Sequence, residues 1–216
     1  MDSEELRHRL RFYFITDDGV DGFPAVDQVR VALDAGATLI QYRNKSFTLD
    51  AYAEVEAIRR RCRDDSVPFI VNDNVLLARA VGADGVHVGQ DDTPPRLARH
   101  VMGPRAIVGV SISSLTELAH TDLTVCDYIG TGPTFPTDTK VDAKADHGLS
   151  GLREIVDRAP VPAVAIGGIN PSNAPDCFAQ GAAGVAVISC ITRAADPVQA
   201  AGAMAAACGL PALRRG

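Results

Sequence analysis

Short apolar runs alternate with amphipathic segments along nearly the whole chain, and this alternation limits the folds open to it. The apolar runs are five or six residues long and rich in β-branched side chains, as expected of strands buried on both faces of a parallel sheet. There are eight of them, at residues 12–16, 39–43, 69–73, 85–89, 107–111, 128–132, 163–167 and 184–189.

The segments between these runs have the apolar spacing of helices. Segment 49–63 is the clearest, because Tyr52, Val55, Ile58 and Cys62 fall on one side of a helix. Weaker helical patterns cover residues 24–35, 75–81, 94–101, 115–120, 149–158, 173–180 and 197–207.

Eight strand–helix alternations predict an α/β fold of the (β/α)8 TIM-barrel type, formed as a single domain by residues 1–216. A doubly wound open sheet is the alternative. It is disfavoured because no G-x-G-x-x-G motif follows the first strand. We expect residues 209–216 to form a frayed tail.

Charge and composition exclude several functional classes. The net charge is −6 and the longest basic run is short, at residues 59–63, so a nucleic-acid-binding surface is not expected. No apolar stretch reaches the length of a membrane span, and the charged N-terminus lacks the apolar core of a signal peptide. The five cysteines form no C-x-x-C pair, which favours buried free thiols. We therefore expect a cytoplasmic protein, and the composition leaves homo-oligomer formation open.

Three polar clusters, at residues 41–45, 72–74 and 89–92, each follow a predicted strand. The ends of parallel strands converge on one face of a barrel, so these side chains are expected to meet there. Gln41, Arg43 and Lys45 are two residues apart and would point to the same side of a strand, where the cations suit a polyphosphate. Alternatively, they form a structural salt-bridge layer, or Lys45 lies beyond the strand.

Asp73 and Asp92 are the candidate metal ligands. Carboxylates from two neighbouring loops suit Mg²⁺, which binds a few protein oxygens together with substrate phosphate. The alternative is helix capping, because each aspartate precedes a helical segment. No zinc-ligand spacing of cysteine or histidine is present in the chain.

Further candidates lie near the last strands. The seventh predicted strand ends at Gly167-Gly168 and the eighth at Ile188-Ser189. Barrels often bind phosphate after these two strands, so both pairs suit a phosphate site. The alternative for the glycine pair is a tight turn. The long segment 133–148 is a candidate lid, or else a solvated loop. His87 lies within the fourth predicted strand. An interior histidine with satisfied hydrogen bonds is favoured over a catalytic one.

The ordered set of motifs resembles thiamine phosphate synthases. The motifs are Q-Y-R-N-K, V-N-D-N, G-V-H-V-G-Q-D-D, G-V-S, G-P-T-F-P-T-D-T-K, A-I-G-G-I and V-I-S, and the resemblance covers about residues 12–191. The family is a (β/α)8 barrel. It joins a hydroxymethylpyrimidine diphosphate to a thiazole phosphate and releases pyrophosphate.

The resemblance implies roles for individual residues. Gln41 is expected to contact the pyrimidine, and the residues expected around the diphosphate are Arg43, Lys45, Asn72, Ser111 and Lys140. Tyr42 and Asn44 are also expected to bind substrate. Those expected at the thiazole phosphate are Thr137, Asp138, Thr139, Gly168, Ile188 and Ser189. Among these, Arg43, Lys45, Ser111 and Lys140 are the expected catalytic groups, and Asp73 and Asp92 the expected Mg²⁺ ligands.

Asn44 departs from the family, which commonly has an acidic residue at this position. Two other functions remain open at this point. A thiazole tautomerase-like isomerase would need one phosphate site and an acid–base residue but no metal set. A non-catalytic sensor would bind a phosphorylated thiazole without turnover.

Overall fold

The computed structural model describes residues 3–137 and 146–211. Its eight strands form a closed parallel barrel in sequence order, with β1 pairing with both β2 and β8. The strands are β1 (Phe12–Ile15), β2 (Leu39–Tyr42), β3 (Phe69–Asn72), β4 (Gly85–Val88), β5 (Ile107–Ile112), β6 (Tyr128–Thr131), β7 (Ala163–Ile166) and β8 (Gly184–Val187). The predicted barrel is confirmed, and every strand begins at the predicted residue.

Helices surround the barrel. They are α1 (Ser3–Leu10), α2 (Ala25–Ala35), α3 (Tyr52–Asp64), α4 (Val75–Val81), α5 (Pro95–Met102), α6 (Leu115–His120), α7 (Gly148–Arg158), α8 (Ala174–Ala179), α9 (Ser189–Thr192) and α10 (Pro197–Ala207). Short 3₁₀ turns occupy Leu49–Ala51 and Leu123–Val125. Within the described ranges, no helix is long and apolar enough to cross a bilayer.

Two apolar layers hold the barrel together because successive strand residues point to opposite faces. In β1, Phe12 and Phe14 point outward and pack in the layer between strands and helices. Tyr13 and Ile15 point inward and pack with Leu39 and other interior side chains. The central barrel is therefore filled by side chains rather than open.

Two helices were not predicted from the sequence. The first, α1, contains few apolar residues, but its Leu10 is fully buried in the interior cluster, next to the start of β1. The second, α9, begins at Ser189, so the prediction that the last strand continues to Ser189 is wrong: β8 ends at Val187.

The five cysteines are free, and four of them are buried. Burial raises the pKa of the Cys177 thiol to about 11 and that of Cys62 to about 12. These thiols are protonated at neutral pH and serve as small packing groups. At the C-terminus, Gly209 and Leu210 still donate hydrogen bonds to α10, and residues 212–216 of the expected tail lie outside the described residues.

Candidate active site

A cavity opens at the carboxyl ends of the strands, and every strand contributes to its lining. Besides Tyr13, which carries a hydroxyl, five lining side chains are polar and lie on or directly after neighbouring strands; the rest of the wall is apolar. These side chains are Gln41, Arg43, Asn72, His87 and Ser111. Four of them were predicted to bind the substrate, and barrel closure brings those four to one mouth.

Arg43 and Lys45 lie in the loop after β2, which ends at Tyr42. The prediction that one strand presents Gln41, Arg43 and Lys45 on the same side is therefore wrong. The Thr16 hydroxyl donates to the Arg43 carbonyl (3.1 Å) and accepts from the Arg43 amide (2.8 Å). Thr16, at the end of β1, thus fixes the backbone from which the Arg43 side chain reaches the cavity.

Asp18 also holds this loop in place, although it was not among the predicted site residues. Its carboxylate accepts a 2.8 Å hydrogen bond from the Lys45 amide and lies 3.9 Å from the Arg43 guanidinium. The sequence did contain a signal for this residue. Asp17 and Asp18 form a polar pair directly after the first predicted strand, just as the three polar clusters directly follow other strands. Asp17 is buried and pairs with Arg193, just after α9.

The two predicted metal ligands lie together. Burial raises the pKa of the Asp73 carboxyl, and a hydrogen-bonding contact with the Asp92 carboxyl raises it further. Lys45 Nζ lies 3.1 Å from Asp73 Oδ2 and offsets part of this effect. In the described ranges, no group of three or more histidine, cysteine, aspartate or glutamate residues forms a metal cluster.

Neither aspartate caps a helix, so the alternative explanation for both is wrong. Asn74 is the N-cap of α4 and accepts from the Leu77 amide, whereas α5 begins after Pro94. Asp92 instead accepts a 2.8 Å hydrogen bond from the Gly89 amide. Asp73 adopts a left-handed backbone with φ of 61°, which turns the chain sharply after β3.

Two carboxylates in contact suit a hard divalent cation. Bringing two negative charges together in a half-buried site is unfavourable, and a bound cation removes that cost. Mg²⁺ accepts two carboxylate ligands and completes its shell with water and phosphate oxygens. The donor set therefore fits the ion that the sequence predicts.

The other predicted site residues are distributed unevenly. Tyr42 is buried in the outer layer, and its hydroxyl accepts a 3.1 Å hydrogen bond from the side-chain Nδ2 of Asn44. For these two residues, substrate contact stays a prediction. Asp138, Thr139 and Lys140 lie outside the described residues. Thr137 precedes them, at the end of a segment that follows β6.

The glycine pair after β7 has a structural role next to this segment. Gly167 and Gly168 both have positive φ values, 95° and 65°. A Cβ on Gly168 would lie 2.5 Å from the Pro136 carbonyl oxygen, and one on Gly167 would lie 2.6 Å from Pro133 Cα. Only glycine lets segment 133–136 pack this closely against the end of β7.

Gly168→Ala is therefore expected to displace the chain just before Thr137. Strain at this position should cost about 1–3 kcal/mol, which lowers the melting temperature by about 3–10 °C. Gly202→Ala is the matched control, because Gly202 lies within α10 with open space around it, and alanine there should not destabilise the protein. Calorimetry of both variants checks the prediction, and equal melting temperatures would contradict it.

Tyr13 and Tyr128 belong to the site although the sequence did not single them out. Both are buried in the barrel interior, and their hydroxyls lie 2.8 Å apart. Tyr13 contacts Gln41 and Tyr128 contacts His87. The prediction that His87 is a satisfied interior histidine agrees with these contacts, and His87 also reaches Ser111.

Known proteins share this sequence and fold. A family model described as thiamine monophosphate synthase matches residues 12–191. The thiamine-phosphate synthase of Geobacillus kaustophilus is 44% identical over 210 residues, covering 95% of each chain. That of Vibrio campbellii is 42% identical over 188 residues, covering 87% of this chain and 92% of the relative.

Solved structures agree with these matches. A thiamine phosphate pyrophosphorylase from Pyrococcus furiosus superposes with a TM-score of 0.85 at 38% identity, covering 94% of this chain and 98% of that one. A 3-hexulose-6-phosphate synthase aligns with a TM-score of 0.66 at 19% identity, which shows a shared barrel fold alone.

Proposed function

Because the chain belongs to the thiamine monophosphate synthase family, we propose that it is a transferase of thiamine biosynthesis. It joins 4-amino-2-methyl-5-(diphosphooxymethyl)pyrimidine to a thiazole phosphate and releases thiamine phosphate and pyrophosphate. The observation that carries this proposal is identity above 40% over nearly the full length of thiamine-phosphate synthases. A tautomerase-like isomerase or a non-catalytic phosphothiazole-binding protein is not favoured, since these relatives are synthases.

The mouth of the barrel supplies groups that suit the diphosphate. Arg43 presents a guanidinium fork whose side chain is only 13% exposed, and Lys45 presents an ammonium beside Asp73. Asn72 and Ser111 add short polar groups in the same cavity. Fixed donors of this kind stabilise negative charge as it develops on departing pyrophosphate. Lys140, on the segment after Thr137, is proposed to join them.

Asp73 and Asp92 would hold Mg²⁺ at the edge of this cavity. When bound, the ion supplies positive charge beside the diphosphate. Lys45, which pairs with Asp73 in the structure, is then free to turn toward the substrate.

The pyrimidine would lie deeper, against Gln41 and the apolar wall. An electron-rich aminopyrimidine can stabilise a methylene cation, so pyrophosphate can leave before the thiazole nitrogen attacks. The thiazole nitrogen then captures the cation, and no covalent protein nucleophile is required. The apolar wall, which includes Ile15 and Ile166, limits the water that competes for the cation.

The thiazole phosphate would bind near the ends of β7 and β8. Gly168, Ile188 and Ser189 border this region, and Thr137, Asp138 and Thr139 belong to the adjoining segment. The closed barrel places β7 beside β8, so these groups can act on one phosphate.

The direct test is incubation of the protein with both substrates and Mg²⁺. Thiamine phosphate and pyrophosphate should appear in equal amounts, and chelation of the metal should stop their formation. Full turnover after rigorous chelation would contradict the metal role. Absence of product with Mg²⁺ and both substrates would contradict the function.

Ser189→Asp is expected to raise the KM for the thiazole phosphate about tenfold or more, because the new carboxylate repels the phosphate. The KM for the pyrimidine diphosphate should stay within about twofold of wild type, since the groups proposed for that substrate, apart from Lys140, lie on or directly after β2, β3 and β5. Ser3→Asp is the matched control, because it adds the same charge on exposed α1, before the start of β1. Equal effects of Ser189→Asp on both substrates would contradict separate sites.

We place this activity in the cytoplasm, with small molecules rather than nucleic acid or membrane as partners. The net charge of −6 and the absence of a long basic run argue against a nucleic-acid partner. Homo-oligomer formation is a separate question, which size-exclusion chromatography with light scattering answers directly.

A further inference from the structure

A continuous chain of hydrogen bonds crosses the barrel interior and joins two residues of the proposed pyrimidine diphosphate site. It runs from Gln41 through the Tyr13 and Tyr128 hydroxyls to His87 and ends at Ser111. The four heavy-atom distances are 2.6, 2.8, 2.9 and 2.9 Å. Tyr13 and Tyr128 are 115 residues apart, so only the closed barrel forms this chain.

Each bond in the chain determines the direction of the next. Gln41 Nε2 donates to the Tyr13 hydroxyl. The direction that gives both tyrosine hydrogens an acceptor among the described residues has Tyr13 donating to Tyr128. With Tyr13 as that donor, the Tyr128 hydrogen goes to His87 Nδ1. A neutral imidazole that accepts at Nδ1 carries its hydrogen on Nε2, which then donates to Ser111 Oγ.

The two ends of the chain present the polar groups that remain for a ligand in the cavity, which Tyr13 and His87 also line. Because Gln41 uses an amide hydrogen for Tyr13, its carbonyl oxygen is oriented as an acceptor. Because Ser111 accepts from His87, its own hydrogen is available as a donor. These two polarities match a bound aminopyrimidine diphosphate, whose amino group donates and whose phosphate oxygens accept.

The surroundings keep the two tyrosines neutral and leave room for the rings of the chain. Burial raises the pKa of both tyrosine hydroxyls well above the ordinary value, so both retain the hydrogens they donate. Gly109 leaves the space that the Tyr128 ring occupies, since a Cβ there would lie 2.1 Å from Tyr128 Cζ. Gly130 gives similar room to His87, where a Cβ would lie 3.1 Å from the ring.

We propose that Tyr13, Tyr128 and His87 are positioning residues that form a directional hydrogen-bond relay. The relay makes Gln41 an acceptor and Ser111 a donor toward the pyrimidine diphosphate. None of the three needs to touch the reacting atoms. The inference rests on the proposed function for its substrate, but the polarity of the relay is a property of the protein alone.

The first test is the tautomer of His87 in the full chain without substrate. Nitrogen-15 NMR of histidine-labelled protein should show an unprotonated Nδ1 and a protonated Nε2 at neutral pH. The His87 signal is identified by its loss in His87→Gln. A protonated Nδ1 with an unprotonated Nε2, or a doubly protonated ring, would overturn the direction of the relay. This measurement needs no activity, so it decides the inference even if the proposed function fails.

The second test is a double-mutant cycle between Tyr128 and Ser111. Tyr128→Phe keeps the ring but breaks the relay, and it should lower kcat/KM for the pyrimidine diphosphate about 10- to 100-fold. In a Ser111→Ala background, the same change should cost less than about threefold, because the relay then has no hydroxyl to orient. The KM for the thiazole phosphate should stay within about twofold of wild type.

Thr38→Val is the matched control for loss of a buried hydroxyl. Thr38 bonds to the Phe12 backbone at the start of β1, at the other end of the barrel. The variant should be less stable yet keep wild-type kcat/KM.

If Tyr128→Phe does not fold, Tyr13→Phe replaces it in a cycle with Gln41→Ala. Equal losses in both backgrounds would overturn the relay and leave these tyrosines a packing role only.

Discussion

Asp73→Asn is expected to lower kcat about 10²-fold or more while the protein stays folded. The change removes the charge that would hold Mg²⁺ beside the diphosphate. Asparagine is a better choice than alanine, because Asp73 has a φ of 61° and asparagine adopts this conformation readily. Steady-state rates over a range of Mg²⁺ concentrations measure the effect. Wild-type rates at every concentration would contradict the metal assignment.

The same variant should be more stable than wild type in the absence of metal. Burial and Asp92 raise the pKa of Asp73 in the folded protein above its ordinary value of 3.8. Ionised Asp73 therefore destabilises the fold at neutral pH, whereas the neutral asparagine of the variant would not. We expect a melting temperature above that of wild type at pH 7, a difference that disappears as the pH falls below 3.8.

Mg²⁺ provides the control for this stability effect. It should raise the melting temperature of wild type by binding the folded state, and raise that of Asp73→Asn much less. Asp92→Asn should likewise weaken the response of the melting temperature to Mg²⁺, because Asp92 is the second proposed ligand. A metal-free Asp73→Asn that melts below wild type at pH 7 would contradict this account of the pair.

Arg43→Ala is expected to reduce kcat/KM for the pyrimidine diphosphate by about 10²–10³-fold. Its guanidinium lines the cavity, and its backbone is held by Thr16. Arg43→Lys keeps the charge but loses the planar fork that matches phosphate, so it should restore only part of the activity. Kinetics with each substrate varied in turn should place most of the effect on the diphosphate.

Arg59→Ala is the matched control for Arg43→Ala. Arg59 is a partly exposed arginine of α3 that donates to the Gly82 carbonyl, before the start of β4. Its removal should leave both kinetic constants near wild type. Stability should change little in Arg43→Ala, because the ion pair with Asp18 is long, at 3.9 Å. An Arg43→Ala enzyme with wild-type kcat/KM would contradict the diphosphate site.

Local pattern determined the barrel. Buried parallel strands need continuous apolar runs, and such runs are visible directly in the sequence. For this reason all eight strands begin at the predicted residues. Local pattern also placed the polar clusters that contain Arg43 and Asn72 at strand ends, whereas Ser111 was predicted from the family resemblance. Barrel closure brings all three to one cavity. Where local pattern was weak, prediction failed: α1 is mostly polar, and α9 is a single turn after β8.

The tertiary structure alone decided how those groups are partnered. Strand alternation predicted that Lys45 points to the same side as Arg43. However, β2 ends at Tyr42, before both residues, and Lys45 pairs with Asp73 in the loop after β3. Likewise, nothing local links Tyr13 to Tyr128, because their contact exists only once β1 and β6 face each other across the closed barrel. Strand position follows from short-range apolar periodicity, whereas hydrogen-bond partners depend on distances across the barrel that only its closure sets.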